Sequence, residues 1–267
     1  MSPLVEHGGA EAERLELPIL QVEELNVVFG SNIVLRDIGF SIRRGESVAI
    51  IGESGCGKTV LLKTLIRLLV PTSGRVVFDG LDLAELSYFD LSQQQTRYGF
   101  VFQQAALFDS MTVGENIAFP LRQHSSKSND EIQEIVHRLL NEVGLTEQTA
   151  AKKPGELSGG MRKRVGFARA LALEPELILY DEPTTGLDPI MSDVINELMI
   201  ETHKQHDVTS IMVTHDMRSA CKVTGRIIML YPVPQLKEGE QQIIFDGSVE
   251  EIHRADDPRV KQFLGIN

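Results

Sequence analysis

Gly52-Glu53-Ser54-Gly55-Cys56-Gly57-Lys58-Thr59 lies between an apolar run, Ser47-Val48-Ala49-Ile50-Ile51, and a stretch where Leu61, Leu62, Leu65, Ile66 and Leu69 recur at helical spacing. The octapeptide has the form G-x-x-x-x-G-K-[ST]. Its flanks predict a buried strand, a tight loop and a helix that begins near Lys58. Glycines let such a loop fold back until backbone N–H groups converge on phosphate oxygens, and the helix N-terminus adds partial positive charge. Lys58 then suits the β- and γ-phosphates and the Thr59 hydroxyl suits Mg²⁺, with Val60 closing the candidate set. The stretch is a candidate nucleoside-triphosphate site in an α/β fold.

At 267 residues the chain is long enough for one large domain with its own core. A formal net charge of −12 speaks against a nucleic-acid partner, which needs a basic footprint. An ordinary soluble surface accounts for that acidity. The two cysteines, Cys56 and Cys221, are far apart and have no metal-ligand spacing; no disulfide framework is implied, and a reducing compartment is expected. No apolar run approaches the ~20 residues of a membrane span, because Lys63 and Arg67 interrupt Val60 to Val70. Residues 1–17 carry Glu6, Glu11, Glu13 and Glu16 without an apolar core, which reads as a flexible acidic leader and not a signal peptide. Membrane contact is therefore expected only through partners.

Alternation over Leu20, Val22, Leu25, Val27 and Phe29, then over Val34 to Ile42, predicts an antiparallel layer ahead of the loop. Pro71-Thr72-Ser73-Gly74 is expected to stop the first helix, Arg75 to Phe78 to form a strand, and Tyr98 to Gln103 another. From Gln104 to Gly160 the pattern turns helical, with Ser125 to Asp130 as a polar loop and cap. Ile132, Ile135, Val136, Leu139 and Leu140 follow on one helical face. A second helix from Met161 sets Val165, Ala168 and Leu171 against Arg162, Lys163, Arg164 and Arg169. Strand character returns at Leu177 to Tyr180 and at Thr209 to Val213, so a mainly parallel sheet covered on both faces is expected.

Two further constellations carry chemistry. Leu177-Ile178-Leu179-Tyr180-Asp181-Glu182 is an apolar strand ending in acids. It would deliver Asp181 to a Mg²⁺ shell at the carboxyl edge of the sheet and Glu182 to an attacking water. Ser158-Gly159-Gly160 opens a helix, which exposes N–H groups and the Ser158 hydroxyl to a second anion.

The order of these motifs resembles the ABC ATPases from about Leu20 to the end of the chain. That likeness implies a P-loop NTPase fold of the RecA-like kind, with a mainly parallel sheet, an antiparallel β layer and an inserted α-helical subdomain. It implies an ABC ATPase domain over 18–267, divided into a core (18–103 and 165–249), a helical subdomain (104–164) and a tail (250–267). Residue by residue, Gln103 matches the Q-loop glutamine that meets Mg²⁺ and the attacking water. Ser158, Gly159 and Gly160 match the signature motif, Asp188 in Gly186-Leu187-Asp188 the D-loop, and His215 the switch histidine on the γ-phosphate. Phe29 matches the aromatic that stacks on adenine, or is a core strand residue. Lys58, Gln103, Glu182 and His215 are thus the catalytic candidates, and Thr59, Gln103 and Asp181 the Mg²⁺ candidates. One P-loop and one signature per chain imply a homodimer with two composite ATP sites.

A narrower resemblance, to the Mla/Mce-type lipid transporters, rests on Phe102 to Val113, Asn116 to Leu121, Met161 after Ser-Gly-Gly, and Asp257 to Leu264. It implies an ATPase peripheral on the cytoplasmic face of the inner membrane. Its partners would be an integral membrane permease of the Mla type and an Mce-domain protein, with phospholipid as the cargo. Two features depart from that pattern: Thr184-Thr185-Gly186-Leu187-Asp188 has the common ABC form, and Tyr231 to Glu240 lengthens a hairpin. Ala105, Ala106, Leu107, Phe108 and Met111 either pack inside the helical subdomain or line a groove for a permease helix. The alternatives are the ATPase of another ABC importer or exporter, or a soluble ABC ATPase such as an iron–sulfur assembly type.

Overall fold

The computed structural model describes residues 17–266; the expected acidic leader lies outside them apart from Leu17. β1 (Leu20–Phe29) and β2 (Asn32–Ile42) form an antiparallel pair. β4 (Ser73–Phe78) joins β1 on its other side, and the short β5 (Leu81–Asp82) completes a sheet of order β2-β1-β4-β5. The alternation in β1 skips phase between Val22 and Leu25, and the structure gives the reason. A bulge places Glu24 at φ 47, which adds one residue and returns Leu25 to the buried face. Gly74 passes so close to the bulge that a Cβ there would lie 2.3 Å from the Glu24 carbonyl oxygen.

The second sheet contains β3 (Ser47–Ile51), β6 (Tyr98–Val101), β7 (Leu177–Asp181), β8 (Thr209–Thr214), β9 (Arg226–Leu230) and β10 (Ile243–Ser248). Its order is β10-β9-β3-β8-β7-β6. All neighbours are parallel except β10, which runs antiparallel to β9. Period two sends Val48, Ile50, Leu179, Ile211 and Val213 into the core under the antiparallel sheet. Ala49, Ile51, Ile178, Tyr180 and Met212 point the other way, into the core shared with the helices. Both faces are covered, as expected of parallel strands.

α1 (Lys58–Leu65) is shorter than its apolar spacing predicts. Arg67 turns left-handed at φ 59, the Leu69 N–H returns to the Lys63 carbonyl, and Gln95 donates to the Ile66 carbonyl. The helix is closed before Pro71 is reached. β6 likewise ends at Val101, two residues ahead of Gln103, because the Ala105 N–H folds back on the Phe102 carbonyl. The next helix, α2 (Tyr88–Gln95), was not expected from the sequence.

Between β6 and β7 lie α3 (Val113–His124), α4 (Asn129–Glu142) and α5 (Gly159–Leu171), with no strand among the described residues. Capping boxes at Thr112/Glu115 and Ser128/Glu131 start the first two. The boundary expected at 164/165 falls inside α5, which is continuous. α6 (Pro189–His206), α7 (Met217–Val223), α8 (Val249–Ile252) and α9 (Pro258–Leu264) complete the chain. No helix among the described residues is long and apolar enough to cross a membrane.

Candidate active site

Because β3, β8, β7 and β6 are parallel neighbours, their carboxyl ends share one edge, and the chemistry-bearing residues leave the sheet there. β3 runs into the loop of Gly52 to Gly57, β8 into His215, β7 into Asp181 and Glu182, and β6 into Gln103. A cleft of about 370 Å³ is lined by Val34, Ser54, Gly55, Gly57, Lys58, Thr59, Val60, Gln103, Glu182 and His215, a volume within the ordinary range for a small-molecule site.

The loop demands glycine at two places. Gly52 sits at φ 148, and a Cβ would meet the Leu230 carbonyl oxygen at 2.3 Å. Gly57 sits at φ 100 as the N-cap of α1, where a Cβ would press on Leu35 and the Val34 carbonyl. Glu53, Ser54 and Gly55 are exposed on the loop. Buried Lys58 donates from Nζ to the Gly52 carbonyl at 2.8 Å and to the Glu53 carbonyl at 3.1 Å, so its ammonium is parked across the loop. Cys56 is buried beside it, and burial pushes its thiol above the ordinary value.

Thr59 Oγ1 donates to Asp181 Oδ1 at 2.8 Å, joining the first helical turn to the end of β7. Burial raises the Asp181 pKa, opposed by the Thr59 hydrogen bond and assisted by the Glu182 charge. Glu182 adopts φ 49, a costly conformation for a residue with a Cβ. Its N–H is held by the Val213 carbonyl, and its Oε2 accepts from Thr185 Oγ1 at 2.9 Å and lies 2.9 Å from His215 Nδ1. The backbone strain aims the carboxylate into the cleft, where Gln103 and His215 also project.

The oxygens of Thr59, Asp181 and Gln103 fit Mg²⁺, which takes few carboxylates and completes its shell with water and phosphate oxygens. Among the described residues no group of three or more His, Cys, Asp or Glu is placed to hold a metal ion.

Phe29, Ser158, Gly159, Gly160 and Asp188 do not line this cleft. Phe29 ends β1 half-exposed, and Val34 of β2 and Val60 of α1 are the apolar side chains lining the cleft. Ser158 caps α5 by accepting the Met161 N–H. Gly159 opens on a second cavity, shared with Gln103, Gln104, Arg162, Lys163 and Thr185 to Leu187. A Cβ on Gly160 would lie 2.5 Å from Met191 Cε, so the start of α5 and the start of α6 approach closely. Asp188 caps α6 by accepting the Met191 N–H at 3.0 Å.

Sequence reading missed two residues that act on this site. Lys163 is buried; its Nζ donates to the Pro183 carbonyl at 2.6 Å and the Thr185 carbonyl at 2.7 Å, fixing the turn that follows Glu182. Burial lowers its pKa to about 8, against the pull of Glu182. Gln242 is fully buried and donates to the Cys56 carbonyl of the loop.

A third cavity, lined by Tyr98, Phe100, Phe102, Ala106, Phe108, Phe119 and Arg169 among others, lies just beyond Gln103. The apolar segment predicted there divides. Ala105 is buried and Leu107 packs on the helical core, whereas Phe108 is 42% exposed and meets the Phe119 ring at 5.0 Å.

The family described as ABC transporter matches residues 35–185. The chain is 41% identical to the probable ribonucleotide transport ATP-binding protein mkl of Mycobacterium leprae, over 92% of this chain and 68% of that protein; it spans about two thirds of the length of the mycobacterial relatives. It is 37% identical to the intermembrane phospholipid transport system ATP-binding protein MlaF of Haemophilus influenzae, over 92% of this chain and 90% of that protein. Among solved structures it resembles the ATP-binding cassette MJ0796, a dimer in a post-hydrolysis state bound to ADP and Pi, with a TM-score of 0.75 and 32% identity. That match covers 86% of this chain and 98% of the other.

Proposed function

This chain belongs to the ABC transporter family, and we propose that it is the ATP-hydrolysing subunit of a transporter that moves phospholipid between envelope membranes. The observation that carries the reading is the division of the site. Lys58, Thr59, Gln103, Glu182 and His215 converge on one cleft, while none of Ser158, Gly159 and Gly160 of the same chain lines it and Gly159 faces a different cavity. A second copy is needed to cover the γ-phosphate, and the dimeric cassette with bound ADP and Pi supports that arrangement. In it Lys58 leaves the Gly52 and Glu53 carbonyls for the β- and γ-phosphates, and the loop N–H groups hold the same oxygens. Glu182 takes a proton from the attacking water, His215 orients the γ-phosphate, and Ser158 to Gly160 of the second copy donate to it. Phe29 or Val34 meets the adenine, and Asp188 sits at the dimer seam. Mg²⁺, held by Thr59, Asp181 and Gln103, supplies neutralisation of phosphate charge.

Phospholipid is inferred as cargo because the match to the phospholipid transport ATP-binding protein runs nearly end to end, whereas the protein named for ribonucleotide transport is matched over a smaller share of its length. The partners are an integral membrane permease and an Mce-domain protein, which would hold this chain on the cytoplasmic face of the inner membrane. The aromatic cavity at Phe102, Phe108 and Phe119 is the surface for a permease helix. The test is ATP turnover of the chain assembled with its permease, in vesicles of defined lipid. Stimulation by phospholipid is expected; stimulation by ribonucleotides and indifference to phospholipid would overturn the cargo assignment.

A further inference from the structure

The lengthened connection between β9 and β10, residues 231–242, does not hang free. It lies along β2 beside the cleft and ends in Gln242, whose side chain is completely buried. Nε2 donates to the Val34 carbonyl at 3.1 Å and to the Cys56 carbonyl at 3.0 Å, and Oε1 accepts the Arg36 N–H at 2.8 Å. Arg36 reaches back to donate to the Glu240 carbonyl. At the far end, Arg259 of α9 pairs with Glu240 and stacks on Tyr231. Three segments remote in sequence thus meet on one carboxamide: the cleft wall at Val34, the phosphate loop at Cys56 and the hairpin.

We propose that Gln242 is a positioning residue that sets the orientation of the Cys56–Gly57 peptide in the phosphate cradle. A trans peptide is planar, so its C=O and N–H point in opposite directions. With the Cys56 carbonyl fixed toward Gln242, the Gly57 N–H is turned to the opposite side, toward the cleft that Gly57 lines. The second donated bond locks the Val34 carbonyl, and this carbonyl is one of the atoms that leaves no room for a side chain at Gly57. A carboxamide alone among side chains of this size offers two N–H donors and an acceptor at once. The inference rests on reading Gly52 to Thr59 as the phosphate cradle. It adds that the cradle is held in its binding shape by a residue from the opposite end of the chain.

The experiment uses the full chain and begins with ATP affinity of the wild type in Mg²⁺. If the wild type does not bind ATP, the cradle reading itself fails. Given binding, Gln242→Met keeps the length and removes all three bonds, and Gln242→Glu keeps the shape but faces two carbonyls with acceptors only. A Kd about tenfold weaker, equivalent to about 1.4 kcal/mol, is expected for Gln242→Met, and a larger loss for Gln242→Glu. kcat at saturating ATP should stay within about twofold, because Glu182 and His215 are untouched. Wild-type affinity in folded variants would overturn the proposal, as would a fall in kcat with KM unchanged. Should the variants not fold, hydrogen exchange of the wild type decides. ATP must slow exchange in the segment 238–245, and no change there would overturn the proposal.

Discussion

Replacing Glu182 with glutamine separates chemistry from architecture at this site. The two contacts that fix the side chain, from Thr185 Oγ1 and His215 Nδ1, both fall on Oε2, each at 2.9 Å. An amide oxygen in that place still accepts the Thr185 hydroxyl and can sit against His215 Nδ1, and the side chains match in size. The left-handed backbone at residue 182 is no harder for Gln than for Glu. What disappears is the negative charge that receives the proton. A positioned general base contributes about 10²- to 10⁴-fold, or about 2.7–5.5 kcal/mol of activation free energy. Phosphate release at saturating Mg²⁺-ATP should therefore fall by about two to four orders of magnitude. ATP affinity should stay within about threefold, since a contact made only in the transition state affects kcat and not binding. Light scattering should show an ATP-dependent dimer that persists, because the bound triphosphate is no longer consumed. Turnover of Glu182→Gln within about threefold of wild type would remove Glu182 from its role, whatever happened to binding.

Lys163 gives a pH signature. Its folded pKa of about 8 lies below the ordinary 10.5, so between those values the unfolded chain binds the extra proton and stability must rise with pH. Denaturant melts at pH 7 and 9.5 should show wild type gaining on Lys163→Met; a constant difference would refute the burial argument. Phe108→Asp places a charge in the aromatic cavity and should abolish co-purification with the permease while leaving ATP affinity of the isolated chain unchanged, and joint loss of both would return Phe108 to a packing role. Ala106 is exposed at φ 47, so Ala106→Gly should stabilise the chain by up to about 1 kcal/mol in thermal melts. A lower melting temperature would mean that the turn is not strained.

The sheet and the loop were legible because their signals are local. A β-branched run, a glycine motif and a helical repeat each occupy fewer than a dozen consecutive residues, and the acids at 181 and 182 follow directly from a strand. Other features depend on what lies opposite. The phase skip in β1 was present in the spacing of Val22 and Leu25, yet the bulge at Glu24 becomes visible only with its partner strands. Phe29 and Val34 are both apolar residues on neighbouring strands, and alternation could not say which would reach the cleft. Asp188-Pro189 is a capping signal that announces α6, but it was absorbed into a loop motif. Gln242 carried no signal at all. It sits in a polar stretch, and its partners at Arg36 and Val34 are 206 and 208 residues away.

The basic face of α5 shows why composition alone misleads about such a helix. Arg162, Lys163, Arg164 and Arg169 look like a solvated stripe, yet each donates to backbone carbonyls: Leu157 for Arg162, Pro183 and Thr185 for Lys163, Val143 and Gly144 for Arg164, and Ala105 and Ala106 for Arg169. The last pair is the most demanding, since Ala105 and Ala106 both take positive φ. Two left-handed alanines cost about 2–4 kcal/mol, and two charge-assisted hydrogen bonds return about 3–6. The two terms are of similar size, so the clamp offsets the strain of the turn. Lys163 makes the equivalent hold on the segment after Glu182. Under the dimeric reading, the helix whose first turn meets the partner's nucleotide therefore grips both the segment that follows Gln103 and the one that follows Glu182.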